Sequence, residues 1–138
     1  LNREGVPVVI TSGEEHSKIP ARFVGEKRKG LFLAPSFCLK ELAALYRSCR
    51  VVAAGDTGPL HLAVAVGRPT VGLFGPSDAS RSGPYGKGHR VVQRRCICRA
   101  PSPYAPRRCR QKSGCIEGIE VEEVFDSVTK ILKEDICR

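Results

Sequence analysis

The sequence predicts an α/β fold with a mostly parallel sheet, on three observations. Residues 51–54 form a short apolar run ahead of a glycine, and residues 70–74 form a second one closed by Gly75-Pro76. Between them, residues 60–66 are almost wholly apolar and are followed by the helix-stopping pair Gly67 and Pro69. Strands joined through a helix pair in parallel, and a parallel sheet needs both faces covered. We therefore expect a strand–helix–strand unit inside a three-layer domain.

The other elements follow from the same kind of pattern. Residues 6–11 and 31–34 predict two earlier strands, and residues 89–93 predict a short last one. After Ser36, helical spacing predicts a helix of about ten residues. Its buried stripe would comprise Leu39, Leu42, Ala43, Tyr46 and Cys49. Residues 75–90 are rich in Gly and Pro and predict a loop, whereas residues 121–132 predict an amphipathic helix.

The composition is that of an ordinary soluble protein. The chain has 138 residues, 41% of them hydrophobic and 27% charged, which suits one domain with its own core across residues 1–138. No stretch reaches transmembrane length, and no signal peptide is visible. Because the first residue is Leu and a strand follows within a few residues, we expect a fragment of a larger protein.

The net charge of +9 is concentrated in one loop. Residues 94–112 carry seven Lys and Arg and no acid, while the rest of the chain carries sixteen basic and fourteen acidic side chains. Such a loop suits an anionic partner, such as phosphate, lipid headgroups at a membrane surface or nucleic acid. The alternative is an ordinary solvated loop.

Polar residues gather where the central strand passes into its helix, at Asp56, Thr57 and His61. In an open parallel sheet, ligands bind at that edge, and a helix start offers N–H groups and a positive dipole to a phosphate. Gly58 lets the backbone approach a ligand closely. Asp56 can accept hydrogen bonds from ligand hydroxyls or orient His61. The alternative is that Asp56 or Thr57 is only a helix cap.

Two further candidates follow the earlier strands. The polar turn at residues 12–16 contains Glu14 and Glu15, and a carboxylate there can bind a ribose hydroxyl pair or simply favour a helix start. Phe37 lies at the turn after the second strand. Its ring can stack on an adenine or pack against the start of the following helix.

Four runs occur in order and with matching gaps: residues 55–63, residues 67–69, residues 73–78 and residues 83–86. Together they resemble the signature of the ADP-heptose:lipopolysaccharide heptosyltransferase family, and a weaker likeness extends over nearly the whole chain. The resemblance implies a Rossmann-like domain, the C-terminal half of a GT-B glycosyltransferase, truncated at its N-terminus so that it begins at the second strand.

The resemblance also implies a function. The family transfers heptose from ADP-heptose to the inner core of lipopolysaccharide with inversion, in the cytoplasm at the inner face of the inner membrane. Its general base is an Asp of the N-terminal acceptor domain, so no catalytic residue is expected in this chain, which alone would be inactive. The acceptor, a lipid-linked saccharide, would bind through that missing domain, and no catalytic metal or other cofactor is required.

What the resemblance assigns to this chain is donor binding. Its Gly-x-Glu-His pattern selects Glu15 for the ribose, and an apolar residue at the position of Phe37 lies near the adenine. Thr57 and Gly58 would hold the diphosphate. Asp56 and His61 would contact the donor sugar or the phosphates.

The basic loop, residues 94–115, also contains a cysteine cluster: Cys96, Cys98, Cys109 and Cys115. A structural zinc ion, disulfides and free thiols all remain open, since the spacing departs from the paired C-x2-C of most zinc sites. Disulfides are rare in the cytoplasm. By resemblance, many family members have cysteines in this loop, which favours a structural role.

Two alternative functions belong to other classes. One is a non-catalytic module that binds nucleotide sugars. The other is a zinc-stabilised basic domain that binds nucleic acid through its Arg-rich loop. The second is disfavoured because only Tyr104 offers that loop an aromatic ring for stacking.

Overall fold

The structure is a computed structural model that describes residues 5–13, 30–94 and 115–136. The chain divides into two compact units, Leu1–Leu42 and Ala43–Arg138. The boundary falls within the first described helix, α1 (Leu39–Ser48). Each unit has its own sheet.

The first unit contains two short parallel strands, β1 (Val8–Ile10) and β2 (Leu31–Leu33). Ala34 N–H donates to Ile10 O at 2.9 Å and continues their pairing. Both strands were predicted, with slightly wider bounds. At the start of α1, Cys38 N–H donates to the Glu41 carboxylate at 2.8 Å, which satisfies one of the free donors of a helix start.

The predicted stripe of α1 is only partly buried. Tyr46 is 4% exposed, but Leu39 is 70% exposed and does not join the core. Helical spacing identified the residues that share a face, but it does not say how far along the helix that face is covered. The stripe was therefore correct at Tyr46 and wrong at Leu39.

The second unit contains three parallel strands in the order β3-β4-β5: β3 (Val52–Gly55), β4 (Thr70–Phe74) and β5 (Arg90–Gln93). Helix α2 (Gly58–Ala65) connects β3 to β4. It ends where Gly67 adopts a φ of 77°, a left-handed conformation that a glycine takes without strain. The predicted strand–helix–strand unit is thus confirmed, and with it the α/β fold with parallel strands.

The core of this unit lies between α2 and the sheet. Leu60, Ala63, Val71 and Phe74 are all 0% exposed. A Cβ on Gly72 would lie 2.7 Å from Phe74 Cε2 and 3.3 Å from Leu60 Cδ2, so α2 packs against a strand position without a side chain. At the start of β4, the buried Thr70 hydroxyl shares a 3.0 Å hydrogen bond with His89 Nδ1.

A long C-terminal helix, α4 (Val121–Ile136), covers the sheet and extends beyond the predicted residues 121–132. It buries Val128, Ile131 and Leu132. Arg50 Nη2 donates to Leu132 O at 2.8 Å and so links α4 to the chain between α1 and β3. In the described part of the chain, no helix has the length and apolar character needed to cross a bilayer.

Arg94, the residue after β5, connects the end of that strand to the residues that precede α4. Its N–H donates to Phe74 O at 2.9 Å, and its Nε donates to Gly118 O at 2.7 Å. Gly118 ends a single 3-10 turn, Cys115–Gly118. The Arg94 guanidinium also pairs with Glu123, and this hydrogen bond lowers the pKa of the Glu123 carboxyl.

Candidate functional site

The centre of the candidate site is the corner between β3 and α2. Thr57 occupies the cap position of α2 in extended conformation, with φ −145° and ψ 167°. Its hydroxyl does not cap the helix, because it donates to Gly55 O at 3.3 Å. Its carbonyl accepts from Leu60 N–H at 3.0 Å. Among the described residues, α2 therefore begins without a side-chain cap.

Among the described residues, Asp56 accepts no hydrogen bond from the start of α2. Its Oδ2 accepts a hydrogen bond from Ser82 Oγ at 3.1 Å, and its Oδ1 lies 3.7 Å from His61 Nε2. The Asp56 side chain is 23% exposed and the His61 side chain 50% exposed, so both remain accessible to a ligand. The alternative that Asp56 or Thr57 serves as a side-chain cap does not match this geometry.

The space where a side chain at Gly58 would lie is open. A Cβ on Gly58 would meet nothing within 4 Å, and Gly58 and the following Pro59 are both exposed. Gly58 also lies inside the helix, so its backbone does not require a glycine. The positive dipole end of α2 lies at this exposed glycine, an arrangement that suits an anion.

A short helix that the sequence did not predict, α3 (Ala79–Ser82), forms the other side of this corner. Asp78 caps it by accepting from Ser80 N–H at 2.9 Å. Gln93 Nε2 donates to Ser77 O at 2.9 Å and attaches this segment to the end of β5. A Cβ on Gly83 would lie 2.2 Å from Ala79 O, so a glycine is required immediately after α3.

Ser82 is the residue that sequence reasoning missed. It lies 26 residues from its partner Asp56, and nothing in the local pattern indicates that the two side chains meet. The signal available was the helix start at Asp78, where an Asp precedes Ser80 at capping distance. Arg81, the basic residue of α3, is exposed.

The predicted nucleoside residues belong to the first unit. β1 and β2 are parallel, so the turn that follows each strand leaves the same edge of their sheet. Gly13 follows β1 there, and Phe37 follows β2 with 37% of its surface exposed. Glu15 lies outside the described residues, so its assignment to a ribose stays a prediction, as does the assignment of Phe37 to an adenine.

The predicted zinc site also stays a prediction. Cys96, Cys98 and Cys109 lie outside the described residues, and the backbone of Cys115 begins the 3-10 turn. Within the described ranges, no three His, Cys, Asp or Glu side chains are grouped as metal ligands.

Cys49 is a free thiol of the second unit. Its Sγ donates to Leu45 O at 3.3 Å. Burial raises the pKa of Cys49, and the nearby Arg68 offsets this only in part, which keeps the thiol protonated and unreactive.

Comparisons with known proteins identify relatives of this chain. The family model described as Glycosyltransferase family 9 (heptosyltransferase) matches residues 1–111. Lipopolysaccharide heptosyltransferase 1 of Escherichia coli K12 is 30% identical over 101 residues, which cover 73% of this chain and 30% of that protein. Lipopolysaccharide heptosyltransferase 2 of Salmonella typhimurium is 33% identical over 61 residues, or 44% of this chain and 18% of the relative.

Two solved structures are similar as well. A glycosyl transferase family 9 protein from Veillonella parvula has a TM-score of 0.81 at 24% identity, over 96% of this chain and 38% of its own. That likeness concerns the fold. The E. coli heptosyltransferase WaaC with ADP has a TM-score of 0.61 at 28% identity, over 67% of this chain and 29% of its own. These matches thus span between 18% and 38% of the length of the relatives.

Proposed function

Since the chain belongs to glycosyltransferase family 9, the heptosyltransferases, we propose that it is the donor-binding part of an enzyme that transfers heptose from ADP-heptose to lipopolysaccharide. One observation carries this proposal: α2 starts without a side-chain cap, at an exposed glycine that has open space on its side-chain side. The similar E. coli heptosyltransferase was solved with ADP. A diphosphate has the charge and the acceptor oxygens that such a helix start binds.

The helix start would act on the leaving group. When the bond from the anomeric carbon to the diphosphate breaks, negative charge builds on ADP. The Gly58 N–H and the α2 dipole are fixed before the reaction, so they stabilise that charge without reorganising. One hydrogen bond to a charged acceptor contributes about 1.5–3 kcal/mol.

Asp56 and His61 would recognise the sugar side of the donor. A carboxylate accepts hydrogen bonds from sugar hydroxyls, and Asp56 keeps 23% of its side chain exposed for this purpose. Asp56 Oδ1 lies 3.7 Å from His61 Nε2, so the two side chains are close enough to contact the same part of a donor. Glu15 and Phe37 remain our proposals for the ribose and the adenine.

The proposal extends to the inner core as acceptor and to inversion at the anomeric carbon, as the resemblance implies. Inversion needs a base near the acceptor hydroxyl, and we assign that base to none of the described residues. This chain would supply donor binding only.

Titration calorimetry with ADP tests the proposal, with adenosine as the control ligand that lacks the diphosphate. We expect ADP to bind at least about tenfold more tightly than adenosine, because the helix start recognises phosphate. A folded protein that gives no heat with millimolar ADP would refute donor binding.

A pair of matched variants tests the sugar contact. Asp56→Asn should weaken ADP-heptose by about tenfold more than it weakens ADP, because the lost acceptor faces the sugar. Asp126→Asn is the control, since Asp126 is exposed on α4. Equal losses for both ligands in Asp56→Asn would remove Asp56 from the sugar subsite.

A further inference from the structure

We propose that Ser82 is a positioning residue of the donor site and that it keeps the Asp56 carboxylate from accepting the Gly58 N–H at the start of α2. This inference rests on the donor binding proposed above. Ser82 itself touches no part of the donor in this proposal. It acts through Asp56, whose Oδ2 accepts its hydroxyl at 3.1 Å.

The Ser82 hydroxyl donates mainly to Asp56. Its hydroxyl has one hydrogen and two acceptors within reach, Asp56 Oδ2 at 3.1 Å and Asp78 O at 3.3 Å. A hydrogen bond to an ionised carboxylate is stronger than one to a neutral carbonyl. The nearer and charged partner, Asp56, therefore receives the hydrogen for most of the time.

Without this hydrogen bond, Asp56 would compete with the donor for the Gly58 N–H. An Asp beside a helix start is among the residues best suited to cap it, and its charge is attracted to the helix dipole. Asp56 directly precedes Thr57, which holds the cap position without capping. If the carboxylate turned towards Gly58, it would accept the same N–H and repel the diphosphate.

The backbone of α3 holds Ser82 in place. Its N–H donates to Asp78 O at 3.1 Å, and Gly83 N–H donates to Ala79 O at 2.8 Å. The Asp78 carboxylate caps the same turn. Ser82 is thus presented by a closed turn of backbone hydrogen bonds, which is what a positioning residue needs.

The experiment is ADP titration of the full chain, with Ser82→Ala compared with Ser80→Ala. Ser80 lies on the same short helix, is exposed, and among the described residues uses only its N–H. We expect Ser82→Ala to raise the Kd for ADP by about tenfold, or about 1.4 kcal/mol. Ser80→Ala should leave it unchanged. Equal affinities of the two variants would overturn the inference.

A double-mutant cycle separates positioning from general support of the fold. In an Asp56→Ala background, Ser82→Ala should change the Kd less than about twofold, because Ser82 then has no carboxylate to hold. A loss as large as in the native background would show that Ser82 acts independently of Asp56, against the proposal.

Shape and hydroxyl are separated by Ser82→Thr and Ser82→Val, which match each other in size. Threonine should keep the native affinity and valine should lose it, and this comparison decides the matter if Ser82→Ala does not fold. ADP binding by the native chain separates failure of the donor role from failure of the Ser82 role. If that chain does not bind ADP, the donor role itself fails, whereas native binding with an unaffected Ser82→Val refutes Ser82 positioning alone.

Discussion

Gly58→Ala should separate the stability of this domain from its affinity for ADP. The new Cβ would meet nothing within 4 Å, and the backbone of Gly58 is already helical. Alanine is favoured over glycine by roughly 0.5–1 kcal/mol inside a helix, and by less at its first residue. The free energy of unfolding should therefore stay constant or rise slightly, with a melting temperature at most a few degrees higher.

Binding should move in the opposite direction. The methyl group would occupy the open space on the side-chain side of Gly58, beside the N–H that we propose binds the phosphate. If one charge-assisted hydrogen bond worth about 1.5–3 kcal/mol is lost, the Kd for ADP rises roughly ten- to hundredfold.

Thermal melting and calorimetric titration of the same samples measure the two effects. Gly118→Ala is the matched control. Gly118 belongs to the 3-10 turn, and its new Cβ would make an ordinary contact of 3.7 Å with Arg94 Cγ. Native ADP affinity in Gly58→Ala would refute the assignment of this helix start to the diphosphate. A drop in melting temperature would show that the space around a Cβ at position 58 is not open.

Three other predictions concern the surroundings of the site. Gly83→Ala should destabilise the chain by about 1–3 kcal/mol in denaturant unfolding, since its Cβ would lie 2.2 Å from Ala79 O; native stability would contradict this clash. Burial lowers the pKa of His89, so the His89 imidazole binds a proton more readily in the unfolded chain than in the folded one. The contribution of His89 to the free energy of unfolding should therefore be complete above about pH 6.5 and fall below it. His89→Gln should flatten that fall in thermal melts at several pH values. If the four loop cysteines hold zinc, elemental analysis should find about one zinc per chain, and a metal-free folded protein would leave them as thiols or disulfides.

The central unit of the fold could be predicted from the sequence because its signals are local. The bounds of β4 were predicted without error, and α2 was placed within two residues, since Gly and Pro mark where each apolar run ends. The candidate diphosphate corner followed directly, because parallel strands place the turn after β3 at the ligand edge.

What could not be predicted depends on contacts between distant residues or on very short elements. α3 has four residues, too few for a helical period to emerge from the pattern. The Ser82–Asp56 hydrogen bond joins positions 26 residues apart, and only the folded chain brings them together. Leu39 satisfies the helical spacing yet is 70% exposed, because spacing alone does not identify what covers a face.

The hydrogen bonds of Arg94 have a consequence for the length of the basic segment, residues 95–114. In the sequence, residues 95–114 lie between Arg94 and the 3-10 turn, and the Gly118 carbonyl of that turn accepts the Arg94 side chain at 2.7 Å. The described residues on either side of the segment are thus joined by a hydrogen bond of their own. Doubling the length of a loop between fixed ends costs only about 0.6 kcal/mol. The domain could therefore exchange this segment for a longer or shorter one, and acquire a new surface property, while the corner between β3 and α2 stayed intact.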